Sequence, residues 1–181
     1  MFLLRLLILP LLASACATSP LPDTAEGDQA ERGPAAEHHH SPEVRRLLAE
    51  VRQATAQYHD IEAAFDDGYV LDPHCVSAED LGAPPEHGDM GFHLVNFDLL
   101  DDQFDPLTPE ILVYEERPDG KLHLVAVEYV TLSEEPPAFA GEVEFGPFPP
   151  MGGWALHAWV WLGNPNGVFA DLNPNVVCPG Q

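Results

Sequence analysis

After a solid apolar leader, hydrophobic positions are sparse up to residue 41, recur at helical spacing up to residue 67, and then gather in short β-prone runs. Ser41 as N-cap, Pro42 at the first helical position and Glu43 in the first turn announce a helix. Val44, Leu47, Leu48, Val51, Ala54, Tyr58, Ile61 and Phe65 form one stripe, with Arg45, Arg46, Arg52, Gln53 and Asp60 opposite, and Gly68 stops the helix. Beyond residue 69 the helical period is lost and Pro, Gly and Asn punctuate the runs. Segments 111–117 and 121–131, joined by Pro118-Asp119-Gly120, predict a hairpin. Segments 91–97 and 154–162 have the composition of buried strands, while 98–110 and 132–150 read as connections rich in proline and acids. The expected fold is α+β: one long amphipathic N-terminal helix packed on a four- to five-stranded, mainly antiparallel sheet, as a single domain over 42–181.

The leader itself says where such a domain is sent. Arg5 supplies a positive n-region, Leu6 to Leu12 an apolar core, and Ala13-Ser14-Ala15 the small residues of a cleavage site, so 1–15 reads as a signal peptide too short to span a bilayer. Leu12-Ala13-Ser14-Ala15-Cys16 resembles the lipobox of bacterial lipoproteins. The resemblance implies a lipid on Cys16 that holds the protein to the membrane, and Ala17, where an inner-membrane retention signal carries aspartate, favours the outer membrane facing the periplasm. The alternative is an ordinary secretory signal cleaved after Ala15. Residues 16–41, the lipidated cysteine and a linker, are too poor in large apolar side chains to fold.

Charge narrows the partners. Seven Lys and Arg stand against thirty Asp and Glu, a formal net charge of −23 at pH 7, and cleavage of the leader would remove Arg5 as well. Phosphate backbones are bound through Lys and Arg, so nucleic acid is excluded as an expected partner. With Cys16 lipidated, Cys75 and Cys178 remain, and beyond the cytoplasm they are expected to form a disulfide. Two free thiols binding metal are the other reading.

Strand alternation places the residues that can carry chemistry. His93 shares a face with Val95 and Phe97, and His157 with Trp159 and Trp161. Glu128 shares its face with Leu122, Leu124, Ala126 and Val130, an aliphatic strip on which a carboxylate must be paired, protonated or bound to a cation. We expect His93, Glu128 and His157 to converge as a two-histidine, one-carboxylate site for one divalent transition metal, Zn, Cu, Fe or Mn. The competing expectation is hydrogen-bonded core histidines and a paired Glu128. Phe92, Tyr129, Trp159 and Trp161 are expected to line an apolar pocket between helix and sheet.

Weaker candidates surround these. His38, His39 and His40 form a tract in the linker that can bind metals. Asp98, Asp101, Asp102 and Asp105 invite calcium, but their spacing is not that of an EF-hand and turn caps are the expected role. His59 is expected to be solvated or capping, and His123, near the hairpin turn, to be exposed. No GxSxG, Walker, HExxH or GxGxxG pattern occurs, so no enzyme class is assigned.

The stretches MGFHLVN (90–96), VAVEYV (125–130) and LHAWVWLGNPNGVFADLNPNVVCP (156–179), with Tyr58-His59-Asp60 and Gly68-Tyr69-Val70 before them, resemble a group of uncharacterised small secreted bacterial proteins. The resemblance covers most of 50–179. It implies one folded domain and brings no activity with it, and where the group has a Met-Gly-Cys-type segment this chain has Pro73-His74-Cys75. The functional expectation is a lipid-anchored envelope protein with a divalent-metal pocket. The alternative is a non-catalytic lipoprotein that binds a small apolar ligand or a protein partner.

Overall fold

The structure, a computed structural model, describes residues 40–180. The leader, Cys16, His38 and His39 lie outside the described residues.

Helix α1 (Pro42–Thr55) begins as its sequence dictates, with the Ser41 hydroxyl accepting the Val44 N–H at 3.2 Å. It does not continue unbroken to Gly68. A 3₁₀ turn at Ala56–His59 leads to Asp60, which adopts an extended backbone and caps a second short helix, α2 (Ile61–Asp66), by accepting the Glu62 N–H. Asp60 favours such a cap because its short carboxylate competes with the helix for nearby backbone donors. The apolar stripe survives the break: Val44, Leu48, Val51 and Ala64 are all buried.

The sheet has six strands, one or two more than expected, in the order β1-β2-β3-β4-β8-β7, and every pairing is antiparallel. These are β1 (Val70–Val76), β2 (Gly91–Val95), β3 (Ile111–Glu116), β4 (Leu122–Thr131), β7 (Gly146–Phe148) and β8 (Gly153–Ala158), while β5 (Ala138–Phe139) and β6 (Val143–Glu144) pair separately. The β3–β4 hairpin turns where expected, with the Gly120 N–H donating to the Arg117 carbonyl at 2.8 Å. The 132–150 stretch, read as a connection, holds the three short strands β5 to β7. Their two- and three-residue lengths leave no alternation to detect.

Both faces of the central strands are buried. One packs on the helices through Leu94, Leu112, Tyr114, Leu124, Val127, Tyr129, Leu156 and Ala158. Across it the Arg52 Nε–H donates to the Val160 carbonyl at 2.6 Å and the Tyr114 hydroxyl to the Tyr58 carbonyl at 2.6 Å. The other face carries Ile111, Val113, Val125, Ala126 and Val130, covered in part by Trp159 and Val176 from the C-terminal segment. That segment is fastened to β1 by the Cys75–Cys178 disulfide, as expected, with Cα atoms 5.7 Å apart. Beside the bridge, buried Asp89 accepts the Ala78 N–H at 2.9 Å and the Cys178 N–H at 2.6 Å.

One irregularity sets which side chains face where. The β3–β4 register slips between Val113/Ala126 and Tyr114/Leu124, leaving Val125 as the extra residue of a bulge. Upstream of it Leu122 and Leu124 join the helix side; downstream Ala126 and Val130 join the opposite side. The expectation that Leu122 and Leu124 share a face with Glu128 is corrected accordingly.

Candidate metal centre

His93 sits in the middle of β2, Glu128 on β4 and His157 on β8, all on the face turned away from the helices. Glu128 and His157 are directly paired across the β4–β8 ladder. His93 reaches them from across β3, because Val113, its partner there, pairs in turn with Ala126, two residues before Glu128. Cross-strand neighbours on one face lie within side-chain reach, so the three groups meet without any loop's help.

All three are buried, at 8, 5 and 3% exposure for His93, Glu128 and His157. One ligand atom from each lies within 4.8 Å of the others. Glu128 Oε2 is 3.4 Å from His93 Nε2 and 3.5 Å from His157 Nε2. These separations are long for hydrogen bonds between such groups. They are close to the edge, about 3.4 Å, of a tetrahedron whose corners lie about 2.1 Å from its centre, the usual ligand distance of zinc. His157 Nε2 is buried without a hydrogen-bond partner although it points at the carboxylate, and so is His93 Nδ1.

Burial dominates the electrostatics. It raises the Glu128 carboxyl from 4.5 to about 8, with Asp171 and Glu110 adding to the rise. It lowers His93 from 6.5 to about 4 and, helped by the nearby His93, His157 to about 3. The apolar surroundings thus favour a protonated acid between two neutral imidazoles. One carboxyl proton can satisfy one imidazole nitrogen at a time. A divalent cation would satisfy all three atoms together and restore charge to the carboxylate.

The aromatic residues expected to form one pocket are instead divided between the faces. Phe92, Tyr129 and Trp161 belong to the helix-side core, where the Tyr129 hydroxyl donates to the Pro106 carbonyl and the Trp161 indole N–H to Thr55 Oγ1. Trp159 lies on the face that carries His93, Glu128 and His157, its ring nearly parallel to that of His157 with centroids 6.3 Å apart. The expected alternation fails because β8 ends at Ala158, after which the Val160 N–H turns back onto the Ala158 carbonyl.

Other candidates take ordinary roles. Asp101 and Asp105 accept the N–H groups of Gln103 and Leu107, capping turns as expected. His59 is exposed and meets Trp161 edge-on. His74 is exposed and pairs with Asp80 at 3.1 Å. His123 is corrected: it is half-buried, and its Nε2 is enclosed without a partner. His40 packs edge-on against Phe169 and lies 3.9 Å from Glu142.

Two acids escaped the sequence reading. Glu110 is buried just before β3, where it accepts the Val130 N–H at 3.0 Å, and burial raises its carboxyl to about 7. Asp171 lies outside the strands, with Oδ1 3.9 Å from His157 Nδ1. Nothing local marks it, since Asp in a turn-rich stretch has many uses. Comparison with known proteins finds no matching family model, no matching curated relative and no matching solved structure.

Proposed function

We propose that this protein is a lipid-anchored component of the bacterial cell envelope that binds one divalent transition metal ion, Zn, Cu, Fe or Mn, through His93, Glu128 and His157. The carrying observation is the meeting of three ligand atoms within 4.8 Å in a buried setting where His157 Nε2 otherwise has no partner. Two imidazoles and a carboxylate suit these metals, and three protein ligands leave coordination positions for water or another group. When bound, the ion supplies positive charge against Glu128 and Lewis acidity at the open positions. The protein's part is to hold the two imidazoles neutral and to keep competing water away from the ligands.

Location rests on the leader and on Cys16, and the disulfide supports an oxidising compartment. Replacing Cys16→Ser is expected to move the protein from the membrane fraction to the soluble one, whereas unchanged fractionation would remove the anchor.

The metal reading is tested by elemental analysis of the mature protein purified without an affinity tag, beside a His93→Ala/His157→Ala variant. Near-stoichiometric metal that the folded variant lacks is the expected result. Metal-free protein that takes up none of the four ions on challenge would sink the reading and turn attention to an apolar ligand or a protein partner.

A further inference from the structure

His157 has two nitrogens, and the structure gives each a separate carboxylate. Nε2 faces Glu128 and Nδ1 faces Asp171, 3.9 Å away. A neutral imidazole carries one proton and one lone pair. If the Nε2 lone pair is to meet a cation, the proton must sit on Nδ1, where it needs an acceptor. Second-shell acceptors of this kind fix ring orientation and raise ligand basicity.

The side chain of Asp171 is 78% exposed, but its backbone is held in place. The residues on either side are pinned: the Ala170 carbonyl accepts the Trp159 indole N–H at 2.6 Å, and the Leu172 carbonyl accepts the Asn164 amide at 3.0 Å. Trp159 also lies along the His157 ring and donates its backbone N–H to the Val168 carbonyl at 2.8 Å. A single tryptophan therefore braces both the ligand ring and the turn that carries the carboxylate. The exposed side chain can rotate over the remaining distance, or one water can bridge it.

We propose that Asp171 is a positioning residue of the metal centre, accepting the Nδ1 proton of His157 so that Nε2 presents its lone pair to the ion. This rests on the metal reading given above.

The test uses the mature full chain carrying His38→Ala, His39→Ala and His40→Ala, so that zinc reports on the buried centre alone. Zinc affinity is measured by competition with a chromophoric chelator for this parent and for its Asp171→Ala and Asp171→Asn versions. Asp171→Ala is expected to bind zinc about 10- to 100-fold more weakly. Asp171→Asn, which keeps an acceptor oxygen without the charge, should fall between. The metal-free melting transition should stay in place in both, because the side chain is exposed. In the zinc-loaded parent, long-range nitrogen–proton NMR correlations should place the His157 proton on Nδ1, and Asp171→Ala should broaden that signal. Equal zinc affinity in parent and Asp171→Ala overturns the assignment while leaving the metal site standing, as does a loss in both versions that tracks a lowered metal-free melting transition. No zinc binding by the parent overturns the metal reading, and this inference with it.

Discussion

Replacing Glu128→Gln isolates the energetics of a carboxyl enclosed by two imidazoles. Glutamine keeps the shape and is neutral at every pH, so the stability difference between the two metal-free proteins tracks the ionisation of one group. In the folded protein Glu128 titrates at about 8, against 4.5 for the free group. Between those values the folded state holds a proton that the unfolded state has released, so stability falls as pH rises. The contribution is fully present below about 4.5 and lost as pH climbs through about 8. At about 1.4 kcal/mol per pH unit, this interval sets a ceiling of about 5 kcal/mol on the change. Urea unfolding between pH 4.5 and 8.5, with chelator present, should show the wild type losing stability relative to Glu128→Gln by a few kcal/mol. The two shifted histidines are common to both proteins and largely cancel in the difference. Zinc should stabilise the wild type, by about 2.7 kcal/mol when free zinc is a hundred times its dissociation constant, and so offset part of that loss. Parallel pH profiles for the two metal-free proteins, or a wild type that gains on the variant as pH rises, would refute the reasoning.

Gly91 has φ +110° at the start of β2, and a Cβ there would lie 2.4 Å from the Tyr114 carbonyl oxygen. Gly91→Ala should therefore cost about 3 kcal/mol in urea unfolding and lower metal uptake by displacing the strand that carries His93. Reducing the disulfide frees a sequence separation of 103 residues, for which loop entropy sets a ceiling of about 4 to 5 kcal/mol. An unfolding midpoint unmoved by reductant would show the bridge to be energetically idle. Asp89→Ala leaves the Ala78 and Cys178 N–H groups without their acceptor, and should lower stability by about 2 to 6 kcal/mol at about 1 to 3 per group. A loss below 1 kcal/mol would mean that water replaces the carboxylate.

The sequence was most legible where local chemistry and tertiary structure agree. Ser41 and Pro42 start the first helix wherever the rest of the chain lies, and Pro118-Asp119-Gly120 turns the hairpin by its own backbone preferences. His93, Glu128 and His157 stood out because each is a polar group in an apolar run. Their meeting could only be conjectured, because it depends on strand order and register, which are long-range properties. The bulge at Val125 was invisible for a different reason. Leu124, Val125, Ala126 and Val127 are all acceptable strand residues, so nothing local shows where the alternation loses a step. Trp161 was misplaced by extending alternation past the true end of β8, and Asp171 was missed because its significance comes from a histidine fourteen positions earlier.

His93, Glu128, His157 and Asp171 all fall between the two linked cysteines in the sequence. A protease that cuts once anywhere in that interval, for instance in the exposed turns at 101–103 or 118–120, would produce two polypeptides still joined by sulfur. Only a reductant, or a second cut, would release a fragment. The stretch of chain that assembles the centre can thus be nicked without being scattered, and the damage would show as two bands on a reducing gel and one on a non-reducing gel.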